Sequence, residues 1–410
     1  MKELKGKYNT AKVFTDSAES GALAQVLNLL DQEFVSGAKI RIMPDTHAGA
    51  GCTIGTTMTI SDKVVPNLVG VDIGCGMETA VLRNSRVELE QLDKAVHRLI
   101  PSGFDIRETP HRLMEEIDLT RLRCARHVNL ERAELSLGTL GGGNHFIELD
   151  RDQQGRLYFV VHSGSRHLGK QVAEYYQEAA AKELKNNSPA SLSAQAEKLI
   201  AALKREGRET EIQAELKKLR EAASRAGEGR GVPRGLAFAE GRLMEDYIHD
   251  MAITQRYAEL NRLAIMREIV KEMKFKVDEQ LTTVHNYIDM GSMILRKGAI
   301  SARLGERVLI PINMRDGGLI CIGKGNPDWN YSAPHGAGRL MSRSDARASI
   351  TLTQYERAMQ GIYSTTVNKN TIDESPFAYK PMEEIIANIG DTVEIEKIIK
   401  PLYNFKAADE

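Results

Sequence analysis

Cysteine is scarce in this 410-residue chain: its four residues, Cys52, Cys75, Cys124 and Cys321, are dispersed and form no CxxC pair. That pattern favours metal ligation by one thiol, with burial of the others, over a disulfide framework. Long apolar runs are missing too. None approaches the ~20 residues of a membrane span, and the opening MKELKGKYNT lacks the apolar region of a secretory signal. No membrane partner is therefore expected, and cytoplasmic residence is the default. Neither charge is in surplus: the net charge is −1, so an RNA partner would have to be held by a local basic patch. No linker divides the chain.

What is present is the balance of a soluble globular protein, 42% apolar and 27% charged. Leu23, Val26, Leu27 and Leu30 predict a helix from Glu19 to Gln32. IRIMPDTHAGAGCTIGTTMTI reads as a strand, a Gly-rich loop and a second strand, in which Asp45 and His47 either orient a metal ligand or stabilise a turn. Residues 84 to 133 read as mostly helical. Their Arg121, Arg123, Arg126 and Arg132, near His127, form either a phosphate-holding stripe or a solvated helix face. From about Gly169 to Lys276 the composition turns to Ala, Glu, Lys, Arg and Leu. Val172, Tyr175, Tyr176, Ala179 and Ala180 mark one helical face there, and Ile212, Leu216 and Leu219 another. Breaks are expected near Asn186 to Pro189 and Gly227 to Pro233. The alternating charges of 197 to 230 predict a solvent-exposed helical hairpin, and a last helix runs from about Leu236 to Met273. Strands return through LTTVHNYI, SMILRKGAIS, RVLIPI and GLICIGKG. Two β-rich blocks around a helical insertion at 170–276 imply one compact α+β domain, 1–410, with a β-rich core, surrounding helices and a disordered AADE tail.

The chemistry concentrates in LVGVDIGCGM, Leu68 to Met77. Asp72 offers a hard oxygen and Cys75 a soft thiolate, and Gly70, Gly74 and Gly76 let the backbone turn so that the two converge. The plainer reading is a buried strand from Leu68 to Ile73 followed by a Gly-rich turn and an inert Cys. Three histidines shift the balance, because His145, His162 and His285 each fall in or against a short β-rich run. With Asp72 and Cys75 they supply enough N, O and S ligands for one or two divalent ions. His335, in APHGAGR, has glycines after it and Arg339 behind, and reads as an accessible nucleophile or acid/base group. The run Gly138, Gly141, Gly142, Gly143 allows close backbone approach to a phosphate but is not a Walker loop. Together these features suggest metal-assisted phosphoryl or nucleotidyl transfer.

MPDTHAGAGCTIGT, VGVDIGCGM, LGTLGGGNHFIE, HSGSRHLG, HNY, RKGAISA, HGAGRLMSR and DESPFAYK follow in order from Met43 to Lys380. This series resembles the RtcB-type RNA-splicing ligases over nearly the whole chain, and the resemblance implies their fold and reaction. It implies Asp72, Cys75, His145, His162 and His285 as ligands of two Mn(2+) ions, with Cys75 bridging, although such a set favours zinc or cobalt on ligand softness. It implies His335 as the nucleophile toward GTP, giving a guanylyl-histidine, then transfer to an RNA 3′-phosphate made by opening a 2′,3′-cyclic end, then sealing by a 5′-hydroxyl. Nucleotide contacts are expected at Asn144, Phe146, Glu148, Asn286, Asn313, Arg315, Gly336, Ala337, Gly338, Arg339, Tyr379 and Lys406. Arg166, Arg296, Lys297, Arg303 and Arg343 flank the matched motifs and are expected RNA phosphate contacts or, failing that, ordinary salt bridges. An archease-type activator is a further implied partner. The chain departs from the family pattern at PINMRDGG, where PGSMGT is usual, at Ala50 in place of Lys, and at Ala333 in place of Ser or Cys. Arg315 in the altered 311–318 loop is a candidate new phosphate contact, and that loop leaves GTP and another nucleotide open. Two alternatives to a ligase also stand: a metal-dependent phosphohydrolase and a non-catalytic RNA-binding homologue.

Overall fold

The β-branched and aromatic runs from both sides of the helical stretch meet in one seven-stranded antiparallel sheet. Its order is Val277–Val284, Gly76–Leu82, Leu157–Ser163, Phe146–Arg151, Val393–Phe405, Gly317–Gly323, Arg307–Asn313. This computed structural model describes residues 1–186, 189–208, 211–225 and 232–407. Every residue of Gly76–Leu82 and Leu157–Ser163 is buried, the pattern of strands covered on both faces. On one face Ala80, Leu82, Ile147, Leu149, Phe159 and Val161 pack with Ile265, Met266 and Ile269 of the long helix Gly241–Glu272. On the other, Met77, Val81, Tyr158 and Val160 pack with Leu309, Ile320 and Ile399 of the far strands, so the sheet curls and encloses that face. A buried Val, Leu or Phe stabilises a fold by ~1.5–3 kcal/mol. The enclosed positions given to His162, Glu148 and Asp150 therefore forgo stability and require polar partners or a function.

A second, six-stranded sheet runs in the order Lys2–Lys5, Thr10–Val13, Ile40–His47, Ile54–Thr59, Ile294–Lys297, Asn286–Asp289. Its one parallel pairing joins Thr10–Val13 to Ile40–His47. The expected strand, loop and strand around Asp45 are present. The helix before them, Ser20–Leu30, buries Ala22, Val26, Leu29 and Leu30 and leaves Leu27 exposed. The sheet beneath has thus selected a face rotated from the one the leucines suggested.

Helices Arg166–Asn186, Pro189–Arg205, Ile212–Arg225 and Gly241–Glu272 occupy the helical stretch. Its two flanking helices are not peripheral: Val172, Tyr176, Tyr247 and Met251 share the largest core cluster with Leu68, Val69 and Ile73. The two inner helices pack on each other, and their described side chains are mostly exposed or half-buried. The expected breaks near Asn186 to Pro189 and Gly227 to Pro233, the side chain of Leu219 and most of the AADE tail lie outside the described residues. Among the described residues no helix is long and apolar enough to cross a membrane.

Two expectations need correction. Residues 84 to 133 are helical only over Leu89–Leu99 and Leu130–Ser136, with short 3-10 turns at Arg112–Glu116, Leu119–Arg121 and Ala125–His127 between them. Pro101, Gly103 and Pro110 interrupt the run, and the His111 and Asp118 side chains accept backbone N–H bonds that fix the turns. Leu68 to Ile73 is no strand. A 3-10 turn over Pro66–Leu68 leads into a loop, because Gly70 (φ 104°) and Gly74 (φ 73°) take left-handed backbone that a strand forbids.

Candidate active site

Four strand ends of the seven-stranded sheet converge on that loop. Cys75 precedes Gly76–Leu82, whose Gly76 is opposite Ser163 on one side and Val284 on the other. His162 therefore lies beside the thiol, and His285, just past Val284, donates its backbone N–H to the Cys75 carbonyl at 3.0 Å. His145 precedes Phe146, which pairs with His162. Cys75 Sγ lies 3.4 Å from both His145 Nε2 and His162 Nε2. His162 Nε2 is 3.1 Å from His285 Nε2, and His145 Nε2 is 3.0 Å from Asp72 Oδ2. All five predicted ligands are brought together.

Their outer hydrogen bonds fix which atoms face inward. His145 Nδ1 donates to the Leu140 carbonyl at 3.0 Å and His162 Nδ1 to the Asn144 carbonyl at 3.1 Å. Each Nε2 lone pair is thereby aimed into the cluster, the arrangement that carbonyl partners impose on metal-binding imidazoles. Asp72 Oδ1 accepts from Ser165 N–H at 2.8 Å and Ser165 Oγ at 3.1 Å, which leaves Oδ2 for the centre. Gly164 makes this approach possible, since a Cβ there would lie 2.2 Å from Asp72 Oδ1. Arg262, buried, ties the loop down by donating to the Gly74 and Ser163 carbonyls at 2.7 and 3.1 Å. Burial opposes ionisation of Asp72, but His145 and then Arg166 hold its carboxyl below the usual range. Burial pushes the Cys75 thiol up and drives His162 and His285 well below the usual imidazole range. These groups crowd their lone pairs together, and His285 Nδ1 has no hydrogen-bond partner. A divalent cation suits such a donor set: Cys75, His145 and His162 form a buried group able to hold a metal ion.

His335 follows the short strand Ser332–Pro334 and comes from the other side. Its ring centroid is 4.8 Å from that of His285. Asp45, fully buried on the six-stranded sheet, accepts from His335 Nδ1 at 2.6 Å and from its backbone N–H at 3.1 Å, both at Oδ2. With Nδ1–H held there, Nε2 carries the lone pair. Asp45 thus orients the candidate nucleophile, not a metal ligand. His47, its Nδ1 3.0 Å from the Asp45 carbonyl, is held neutral by burial.

Beside His335 opens a cavity of about 490 Å³, within the range for a nucleotide. Asn144, Phe146, Glu148, Asn313, Gly336, Ala337, Gly338, Arg339, Arg343, Tyr379 and Lys406 line it. Buried Glu374 binds several of these cations: Lys406 Nζ is hydrogen-bonded to it, Arg339 Nη1 lies at 3.2 Å and Arg343 Nη2 at 3.1 Å. Against its burial, Lys406 and then Arg343 pull the Glu374 carboxyl down to about 2.

Other expected contacts are placed elsewhere. Asn286 is not on the cavity; its amide braces the ligand loop, donating to the Asp72 carbonyl at 3.2 Å and accepting from Gly298 N–H at 2.9 Å. Arg315 is folded onto its neighbour, Nε 3.0 Å from Asp316 Oδ1 and Nη2 2.8 Å from Oδ2, so it contributes nothing to the cavity. Arg296 is fully buried and donates to Ser332 Oγ and Tyr287 OH at 2.9 and 3.0 Å; it presents no charge to RNA. Lys297 is buried against the Ala50 and Asn67 carbonyls, and burial brings its ammonium down to about 8. Arg303 is exposed and paired with Asp289 at 2.6 Å. Arg166, at φ 56°, lies with Nη1 3.1 Å from His145 Nδ1. Sequence reasoning missed Glu374, Arg262 and Asn404, although the first stands in the matched segment DESPFAYK.

The model of a family described as tRNA-splicing ligase RtcB matches residues 25–126 and 115–407. Among similar proteins, the RNA-splicing ligase RtcB of Escherichia coli strain K12 is 28% identical over 92% of each chain. RNA-splicing ligase RtcB1 of Escherichia coli ATCC 25922 is 29% identical over 92% of each. The tRNA-splicing ligase RtcB of Aeropyrum pernix is 28% identical over 87% of this chain and 85% of its own. With the family model covering almost the whole length and the Cys, His and Asp cluster assembled as described, this chain belongs to the tRNA-splicing ligase RtcB family.

Proposed function

We propose that this chain is a cytoplasmic, GTP- and Mn(2+)-dependent RNA ligase, acting through residues 1–410 as one catalytic domain with 170–276 as its helical insertion. It joins RNA 3′-phosphate or 2′,3′-cyclic phosphate ends to 5′-hydroxyl ends in RNA repair or tRNA splicing. The observation that carries this reading is the free Nε2 of His335, aimed by Asp45 and set between the ligand cluster and the cavity. A histidine so held is a nucleophile, and a cavity of this size beside it takes a nucleotide.

Asp72, Cys75, His145, His162 and His285 are the residues that would hold the divalent metal. When bound, the metal polarises phosphate oxygens and offsets charge in the transition states. His335 Nε2 attacks the α-phosphorus of GTP, and the bond to the bridging oxygen breaks with its electron pair leaving on pyrophosphate. The Nδ1 proton stays on the ring against Asp45, whose charge balances the phosphorylated imidazolium. An RNA 3′-phosphate oxygen then attacks the same phosphorus and the P–N electron pair returns to Nε2. Finally the 5′-hydroxyl oxygen attacks the RNA 3′-phosphorus, its proton passes to solvent, and GMP departs. A carboxylate repels phosphate, so Glu148 meets the base, while Arg339, Lys406 and Asn144 are suited to the phosphates and sugar. Arg343 and Arg166 are the RNA contacts that this geometry favours.

The deciding experiment incubates the protein with Mn(II) and α-labelled GTP, beside His335→Ala and a parallel ATP sample. Acid-labile label that requires His335 supports the reading. No label with either nucleotide, on folded and metal-loaded protein, sinks it in favour of a phosphohydrolase or an RNA-binding role.

A further inference from the structure

One hydrogen bond in the cavity wall is not required by the transfer chemistry. Glu148 and Asn404 are directly opposed on the strands Phe146–Arg151 and Val393–Phe405. The Asn404 Nδ2–H donates to Glu148 Oε1, and Asn404 is fully buried with its Oδ1 lacking any partner. An amide placed there would be a poor choice for packing alone, since half of its hydrogen-bonding capacity goes unused.

The charged groups around Glu148 pull in both directions. On its own strand Asp150, buried with Oδ1 unpartnered, lies on the same face. On the facing strand end Lys406 is close, but its ammonium is bonded to Glu374. The third strand presents Val160 opposite Glu148 and adds no charge. Burial pushes the Glu148 carboxyl up, and the Asn404 hydrogen bond and then the Lys406 charge oppose it. Asp150 is pushed up further, by burial and by Glu148 itself.

The state of that carboxyl decides which purine it accepts. The outer edge of guanine presents two donors, N1–H and the 2-amino group, whereas adenine presents one donor, its 6-amino group, beside the acceptor N1. An ionised Glu148 accepts from both guanine donors and repels adenine N1. A protonated one donates to adenine N1 and loses a bond to guanine. We infer that Asn404 is the purine-selecting positioning residue: by donating to Oε1 it fixes Glu148 as a pure acceptor facing the base, so that the cavity takes guanine and rejects adenine. This deepens the nucleotide-transfer reading above and rests on it.

The test compares labelling by α-labelled GTP and ATP, with Mn(II), for the native chain, Asn404→Leu and Asn404→Ser, with thermal unfolding as the folding control. The GTP-to-ATP ratio should fall roughly tenfold or more in each folded variant, the size of effect that losing a charge-assisted hydrogen bond produces. A merely structural Asn404 would lower both nucleotides alike, and an unchanged ratio in a folded variant overturns the proposal. If neither variant folds, the native chain decides: lowering the pH from 8 to 6 should move the ratio toward ATP, and a constant ratio overturns it. If the native chain takes no label at all, the transfer reading fails separately. Equilibrium dialysis of GTP against ATP then tests Asn404 alone, and an unaltered preference in the variants overturns its role.

Discussion

Replacing Asp45 by Asn isolates the group that holds the proposed nucleophile. Asp45 does not line the cavity, so nucleotide contacts stay intact. Its Oδ2 takes both the Nδ1–H and the backbone N–H of His335, while Oδ1 has no partner. An Asn that turns its amide toward His335 donates to Nδ1 and forces the proton onto Nε2, which removes the attacking lone pair. An Asn turned the other way keeps the tautomer but buries an unpaired N–H and loses the counter-charge to the phosphorylated ring. Two unit charges about 4 Å apart at an effective dielectric near 20 interact by ~4 kcal/mol, which bounds the loss. Formation of the labelled histidine should slow roughly 10²- to 10³-fold, with the GTP concentration for half-maximal rate nearly unchanged. Single-turnover labelling with α-labelled GTP measures both quantities. A rate within fivefold of the native chain, or a loss confined to GTP affinity, would refute the assignment of Asp45 to His335.

Gly164→Ala places a Cβ 2.2 Å from Asp72 Oδ1, so metal content by elemental analysis should drop even where the fold persists. Glu374 is held down to about 2 from its ordinary 4.5. A carboxyl depressed on folding stabilises above its unfolded pKa, so this contribution, on the order of 3 kcal/mol, should be lost as pH falls from about 4.5 toward 2. Glu374→Gln should flatten that acid limb in urea titrations; an unchanged slope counts against it. Arg343→Ala should reduce the salt slope of RNA binding by about one, measured by filter binding, whereas Arg296→Ala should lower the unfolding midpoint and abolish folded protein before it alters that slope.

The cluster was legible because the chain spends apolar strand positions on groups that do not repay burial: His145, His162 and His285 sit in runs otherwise suited to a core. The same logic failed for the basic residues. Arg296 and Lys297 look available beside matched motifs, yet all four residues of Ile294–Lys297 are buried, whichever side they face. Strand periodicity assigns sides, and it gives no sign that both sides are covered. The loop over 69 to 75 was ambiguous for a related reason: its apolar letters suit a strand, and only the left-handed Gly70 and Gly74 exclude one. Asn404 carried no signal at all, since its role depends on a pairing with Glu148 across 256 positions of sequence.

That long-range dependence also explains where the site lies. His285 follows directly on a strand of the seven-stranded sheet, and Asn286, the next residue, begins a strand of the six-stranded one. The chain crosses between sheets at the point where His285, a proposed ligand, meets the residue that braces Asp72. His162 belongs to the first sheet and Cys75 and His145 immediately precede its strands, while Asp45 belongs to the second and holds His335 from that side. The proposed nucleophile is also tied to the six-stranded sheet by buried Arg296, which donates to Ser332 Oγ at the start of the short strand Ser332–Pro334 and to the Asn330 carbonyl. A mutation there that leaves every catalytic side chain in place should still slow transfer, because a nucleophile displaced by about 1 Å can lose 10² in rate.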